Sequence, residues 1–405
     1  TLFNLNRKNE ALDLHREILK KRIETLDENH PHTLTSMNNV AAALLDTGDA
    51  KEALDMFDTV LEKQKQTLEK DAPDILKTMN NKATALFRMR ETEKAAALYR
   101  EILEKSRKVR GEDHSETLTV MNNLAHTLSG TNDRKESLKL YGESLEKLKT
   151  TLGDTHPHTW AVMRNMATVF IMDKQPEEAL KLFRELLEIK KTVLGDENPD
   201  TLAAMSDVAT LLLETGESDE ALKLYDEVLE KRKTVLQENH PDILRAMKDV
   251  AYALDKLNRR DEAEATLNEI LKKGEAVLEK DHPEMLSTKC ALADLLVKNN
   301  KPQDAVPIYR EAVSKMKTVF EEGDLETLNA MSKMATALIK LREIEQAESL
   351  CREIYDIRKK VYGEEHSGTV AIKRTLAMFK QALNIAESKK PVHKISPRKR
   401  KKRKR

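Results

Sequence analysis

Two adjacent asparagines, Asn38 and Asn39, stand inside a stretch that otherwise reads as a helix. Such pairs return at Asn80–Asn81 and Asn122–Asn123, and Arg164–Asn165 follows. A carboxamide offers two donors and an acceptor, the groups needed to hold an extended backbone whatever side chains it carries. Histidines recur as well, at 30, 114, 156, 240, 282 and 366, with His32 and His158 completing His-Pro-His triplets. Metal binding by them fails on geometry. Packed helices stand about 10 Å apart, so equivalent histidines of successive copies are too far apart to share a zinc, whose ligands sit about 2 Å away. They read instead as residues that begin helices. Aspartate and glutamate are abundant but spread evenly, with no convergent pair for acid–base work. No nucleophile elbow, glycine-rich phosphate loop or cysteine–histidine signature occurs. The expectation is therefore no enzyme, no metal site and no cofactor.

Composition bounds what could position those residues. At 405 residues the chain exceeds the roughly 250–300 at which a single core stops growing, so it is several domains or a repeat array. Charged residues make up 35% and aromatics 4%, a balance that favours an all-helical protein. No apolar run approaches the roughly 20 residues that span a bilayer, and no leader pattern precedes the first helix. The chain begins at Thr1 in mid-repeat, which reads as a fragment of something longer. Cys290 and Cys351 form no disulfide framework and read as free thiols of a reducing compartment. The formal net charge is zero, yet residues 389–405 hold 11 of the 70 basic residues and none of the 70 acidic ones, leaving 59 against 70 upstream. The body is therefore acidic and the tail strongly basic.

Self-similarity settles the organisation. The wording of "ENHPHTLTSMNNVA" (28–41) returns as "KDAPDILKTMNNKA" (70–83), "EDHSETLTVMNNLA" (112–125) and "DTHPHTWAVMRNMA" (154–167), and its closing alanine falls at 41, 83, 125, 167, 209, 251, 293, 335 and 377. The period is 42 residues without insertion. Each copy holds two helical patterns. In the first, Met37, Val40, Ala41 and Leu44 lie at i, i+3, i+4 and i+7, one apolar stripe. Pro31 opens it, as proline does in a first turn where no N–H partner is lost. Gly48 closes it, with Asn6, Asn132, Gly216, Asn258 and Asn300 at the equivalent positions, where a left-handed cap is wanted. The second pattern turns Ala53, Phe57, Val60 and Leu61 inward. Small residues at 41 and 53 let the two helices approach, and an aromatic four residues on (Phe57, Tyr99, Tyr141, Phe183, Tyr225, Tyr309) fills the gap to the next copy. Trp160 replaces the usual leucine and reads as packing where its helix begins.

This small residue, an alanine twelve later and an aromatic four after that resemble the tetratricopeptide repeat. The 42-residue length with its "HP…TL…NNLA" wording is similar to kinesin light chains, to nephrocystin-type proteins and to the arrays of some signalling ATPases. The resemblance implies an all-α, right-handed α-solenoid of antiparallel helix pairs over residues 1–386. It would have eight full repeats and a half repeat at each end, the last helix (about 368–386) closing the stack. On its helix Asn39 lies some 150° from the centre of the apolar stripe by the 100° step of an α-helix, so it points away from the packing. In tetratricopeptide arrays the first helices line the inner groove. The resemblance thus maps Asn39, Asn81, Asn123 and Asn165 onto a ladder holding a peptide backbone, flanked by Asn38, Asn80, Asn122 and Arg164. Seven mid-helix asparagines cost roughly 3–4 kcal/mol of helix propensity, so something compensates; hydrogen bonds to neighbouring helices would do so as well as a ligand. The ladder lapses afterwards into Asp207, Asp249, Ala291, Lys333 and Thr375, which places the expected groove in residues 33–170. Lys77, Arg88 and Arg164 lie on or near that face against Asp46, a tilt compatible with an acidic peptide.

Residues 387–405 read as a disordered tail, since dense like charges repel. Arg398, Lys399, Arg400, Lys401, Lys402, Arg403, Lys404 and Arg405 form an unbroken basic run, suited to nuclear import through an importin and able to meet nucleic acid, anionic lipid or the acidic body itself. The functional expectation is a non-catalytic adaptor, cytoplasmic or nuclear, that binds an extended segment of a partner protein in the manner of a kinesin light chain. A regulatory array of a larger signalling ATPase and a nuclear protein that binds nucleic acid through its tail are the alternatives.

Overall fold

The computed structural model describes residues 7–388 apart from 70, 238–239 and 280, and describes no side chain beyond 379. The expected cap at Asn6 and the basic run 398–405 lie outside the described residues. Eighteen helices and no strand occur among those described. The chain forms two compact units, Thr1–Thr215 and Gly216–Arg405. The first holds α1 (Lys8–Leu26), α2 (Pro31–Thr47), α3 (Ala50–Thr67), α4 (Pro73–Arg88), α5 (Thr92–Arg110), α6 (Ser115–Ser129), α7 (Arg134–Leu152), α8 (Pro157–Met172), α9 (Pro176–Leu194) and α10 (Pro199–Thr215). The second holds α11 (Ser218–Val235), α12 (Pro241–Lys256), α13 (Arg260–Gly274), α14 (Pro283–Lys298), α15 (Pro302–Val319), α16 (Leu325–Lys340), α17 (Ile344–Tyr362) and α18 (Ser367–Ser388). Even-numbered helices are the first helices of each repeat; α1 and α18 are the half repeats. The fold is the all-α solenoid type, and α18 runs two residues past the expected boundary at 386.

Within each unit every helix packs on the next one in sequence, and the reason is the small-residue pair. Ala41 and Ala53, Ala83 and Ala95, and Ala293 and Ala305 are all fully buried, so the backbones close where side chains are shortest. In the third repeat Ser137 replaces the alanine, and its hydroxyl donates to the carbonyl of Ala125, the small residue it faces, at 2.6 Å. The aromatic four residues on is buried in every copy where it occurs, from Phe57 to Tyr309. Burying one such ring is worth about 1.5–3 kcal/mol.

Helix starts follow the histidines. Nδ1 of His30, His114, His156, His240, His282 and His366 accepts the backbone N–H two residues on at 3.1–3.2 Å. Each is thus an N-cap for one of the otherwise orphaned donors of a first turn. Helix ends follow the expected left-handed cap with one correction. Gly48, Gly216, Asn258 and Asn300 have positive φ, but Asn132 does not, because α6 stops early at Ser129. Arg90, Lys174 and Arg342 stand at the same position and take φ of 59–63° although they are neither Gly nor Asn. Among the described residues no helix is long and apolar enough to cross a membrane.

Candidate functional site

The first helices carry the ladder, and their pitch sets which residue of each asparagine pair is free. Val40 and Ala41 are buried against the following helix, which turns Asn39 out to solvent and Asn38 toward the next repeat. Asn38 is buried, and its Nδ2 donates to the Thr78 hydroxyl of α4 at 2.7 Å. Asn39 is exposed, Asn81 half-buried, and neither has a hydrogen-bond partner among the described residues. In the next pair of repeats the bond runs diagonally: Asn123 Nδ2 donates to Asn80 Oδ1 at 3.1 Å. Asn122 is half-buried, with its carbonyl oxygen buried and unpartnered. Asn165 is exposed and lies beside the buried Tyr141 hydroxyl without a hydrogen bond of good geometry; burial pushes that phenol up and the neighbouring carboxamide opposes it. The asparagines therefore divide into inter-repeat ties (Asn38, Asn80, Asn123) and open positions (Asn39, Asn81, Asn165).

The charges divide in the same way. Arg88 reaches back one repeat, donating to the Leu45 carbonyl at 2.6 Å and to Asp46 at 3.0 Å. Arg164 pairs with Asp207 at 3.5 Å, and burial raises the Asp207 carboxyl against that attraction. Lys77 is exposed and has no ion-pair partner among the described residues. Trp160 packs on the core of the first unit, with Nε1 donating to the Asp154 carbonyl at 2.8 Å and Lys190 5.6 Å above the ring.

The second unit brings something that reading the asparagines alone does not reveal. A cavity of about 710 Å³ is bounded by α12 to α16. Asp249, Ala291 and Lys333, three of the five positions where the ladder lapses, all line it. So the face picked out by helical phase carries a cavity among residues 248–336. Its lining is mostly apolar, with Leu267, Leu295 and Met316 on the wall and the half-exposed Tyr252 at the rim. The signal that could have found it was the aromatic position: Tyr309 reaches the first helix 15 residues earlier, donating its hydroxyl to Asp294, just as Tyr99 meets Thr84 at 2.8 Å. Asp294 is thereby drawn to the cavity wall and also pairs with Lys333. Half-buried Cys290 lies there too; burial, with Asp294 next in effect, pushes its thiol up to about 11. Burial likewise pushes the Asp249 carboxyl up to about 6, against the pull of Lys248 and Arg232. Among the described residues no group of three or more His, Cys, Asp or Glu is placed to hold a metal.

Comparison with known proteins places these features. A tetratricopeptide-repeat model matches residues 2–66, 74–150, 133–192, 159–234 and 200–275, and a second model of the same description matches 327–367. No curated protein matches. Among solved structures, the apo form of the quorum sensor NprR from B. thuringiensis is 15% identical; it covers 86% of this chain and 98% of its own, with a TM-score of 0.52. The kinesin light chain nearly identical TPR-like repeats of Podosopora anserina are 23% identical over 51% of this chain and 99% of theirs, with a TM-score of 0.44. BtubC from P. vanneervenii is 18% identical over 58% and 91%, with a TM-score of 0.47. Two thirds of the chain fall within the family model, with its paired helices, small-residue contacts and open first-helix face, and the chain belongs to the tetratricopeptide repeat family, whose arrays are protein–protein interaction scaffolds.

Proposed function

We propose that this protein is a non-catalytic adaptor that holds an extended peptide segment of a partner protein along the first-helix face of its repeats. The observation that carries the reading is the unmatched state of Asn39 and Asn81. Both sit mid-helix, where asparagine costs about 0.5–0.7 kcal/mol against alanine, and neither has a hydrogen-bond partner among the described residues to offset it. Polar groups that face outward at a fixed spacing suit the backbone of a strand-like ligand, whose own N–H and C=O groups need partners. Lys77, Asn165 and Arg164 extend the same face, and Arg88, held by Asp46, stiffens it.

The test is selection from a random linear peptide library with the full chain as bait. The selected peptides are then titrated against the wild type and the Asn39→Ala, Asn81→Ala, Asn165→Ala triple variant. The reading expects at least tenfold weaker binding by the variant, with unchanged helix content by circular dichroism. Equal affinity would remove the ladder from function.

A further inference from the structure

Two helix faces that the other repeats bury stay open on the first and last helices described. Leu14 and Ile18 of α1 are 48% and 45% exposed, whereas Val60, Ile102, Val228 and Ile270, the equivalents of Ile18, are buried. Ala377 of α18 is exposed, although the eight alanines before it in the 42-residue register, Ala41 to Ala335, are at most 3% exposed. Val370 is half-buried where Leu34, Leu76 and Leu244 are buried. The alanine pair sets the level of the two helices of a repeat. In an antiparallel pair the residue seven before the first alanine stands level with the one seven after the second, as Leu34 does with Val60. The same count from Ala377 and Ala11 puts Val370 level with Ile18. α18 thus shows a first-helix face and α1 a second-helix face, the two halves of one repeat.

The charges keep the same register. Within each unit a basic residue of one second helix meets an acid 36 positions later on the next: Arg16 with Glu52 at 3.3 Å, Arg100 with Glu136 at 2.6 Å, Lys149 with Glu185 at 2.8 Å and Lys317 with Glu353 at 2.6 Å. A lysine of the second helix also reaches back 34 or 35 positions to an acid ahead of a first helix, as Lys63 does to Glu28 at 2.8 Å and Lys315 to Asp281 at 2.9 Å. Carried one period past α17, this register is met by the sequence of α1. Arg352, the equivalent of Arg100, calls for the acid at Glu10; Lys359, the equivalent of Lys317, calls for Glu17; Lys21, the equivalent of Lys63, calls for Glu364 or Glu365. Within one chain these groups are exposed and make only near-sequence pairs, Glu10 with Arg7, Glu17 with Lys21, Arg352 with Glu348 and Lys359 with Glu364. We propose that α1 of one copy stacks on α17 and α18 of a second copy, so that α18 and α1 complete one repeat between two chains. Repeat arrays are held by nearest-neighbour interfaces, and this contact is one more of them. Each exposed ion pair adds little alone, but several in one register choose the partner and its orientation over the apolar contact of Leu14 and Ile18. The two surfaces differ, so the contact is heterologous and propagates until a ring closes. It uses none of the asparagines and holds whether or not their face binds peptide.

The experiment is sedimentation velocity of the full chain at low salt, from low to high micromolar concentration. The expected result is a weight-average mass that climbs with concentration. Two charge-reversed full chains locate the contact: one carries Glu10→Lys and Glu17→Lys, the other Arg352→Glu and Lys359→Glu. All four positions are exposed, so both variants should fold, and circular dichroism checks their helix content. Each variant alone sets like charges against each other at every contact and should associate at least tenfold more weakly than the wild type. Their equimolar mixture should recover the wild-type association, because the unchanged α1 of one meets the unchanged α17 of the other and the two reversed ends also match. A wild-type mass that does not change with concentration would overturn the proposal. So would single variants that associate like the wild type, since the contact would then lie elsewhere, or a mixture no heavier than its parts.

Discussion

Asn123 donates its side-chain N–H to Oδ1 of Asn80, 3.1 Å away and 43 positions earlier in the sequence. The bond joins unlike members of two asparagine pairs, the second of one and the first of the other, and so ties α4 to α6 diagonally. A double-mutant cycle of Asn80→Ala and Asn123→Ala should give a coupling of about 0.5–1.5 kcal/mol in chemical denaturation, the range of a net intramolecular hydrogen bond. Asn39→Ala is the internal contrast: with no partner to lose, it should leave stability unchanged or raise it by about 0.5 kcal/mol through helix propensity.

The left-handed position after each first helix offers a stabilising change. Lys174 adopts a φ of 59°, a conformation that costs a side-chain-bearing residue about 1–2 kcal/mol. At the equivalent Gly48 a Cβ would meet nothing within 4 Å, so backbone strain rather than crowding is the cost there. Lys174→Gly should raise stability by about 0.5–1 kcal/mol, part of the relief being lost to the freer unfolded chain. Thermal melting of the single variant checks it.

The histidine caps make a chemical prediction about one nitrogen. His282 accepts the Glu284 N–H through Nδ1 at 3.2 Å, so Nε2 carries the ring proton. His282→Ala should cost about 0.5–2 kcal/mol, while His282→Asn, whose side-chain oxygen can take the same N–H, should cost much less. Comparing their denaturation midpoints separates capping from packing.

Asp249 sets a pH dependence whose sign is opposite to that of a salt-bridged carboxylate. Its carboxyl is raised to about 6 in the folded protein from an ordinary value of 3.8, so the unfolded chain gives up this proton first. The group therefore lowers stability at pH 7, by at most about 3 kcal/mol from the linkage of 1.36 kcal/mol per unit. That penalty shrinks as pH falls below about 6 and is nearly gone at 3.8. Asp249→Asn should accordingly be more stable than the wild type at pH 7 and no different near pH 4. Urea titrations at the two pH values measure the gap directly.

Much of the array was legible because repetition multiplies a weak signal. One helix with alanine at 41 and proline at 31 is unremarkable; nine copies at a spacing of 42 leave a single reading. Helical phase likewise put Asn39 outward, since a stripe of Met37, Val40, Ala41 and Leu44 leaves only one open side. The same reasoning placed the histidines where helices begin, and the structure adds that their Nδ1 atoms make the caps.

What phase cannot reach is the contact between copies. It assigns Asn38 and Asn39 to neighbouring faces but does not say that Asn38 meets Thr78 while Asn39 has no hydrogen-bond partner among the described residues, because that depends on how far α2 stands from α4. It expected Asn132 to close α6 like its equivalents, although the helix ends one or two residues sooner than they do. It also treated Asp249, Ala291 and Lys333 as the decay of a ladder, although all three line the cavity bounded by α12 to α16. The sequence alone determined the repeat, its two helices and the face that looks outward, since these follow from the periodicity of a single chain segment. Only the tertiary structure decided which polar groups on that face are consumed by neighbours, since pairing depends on distances between segments some 40 residues apart.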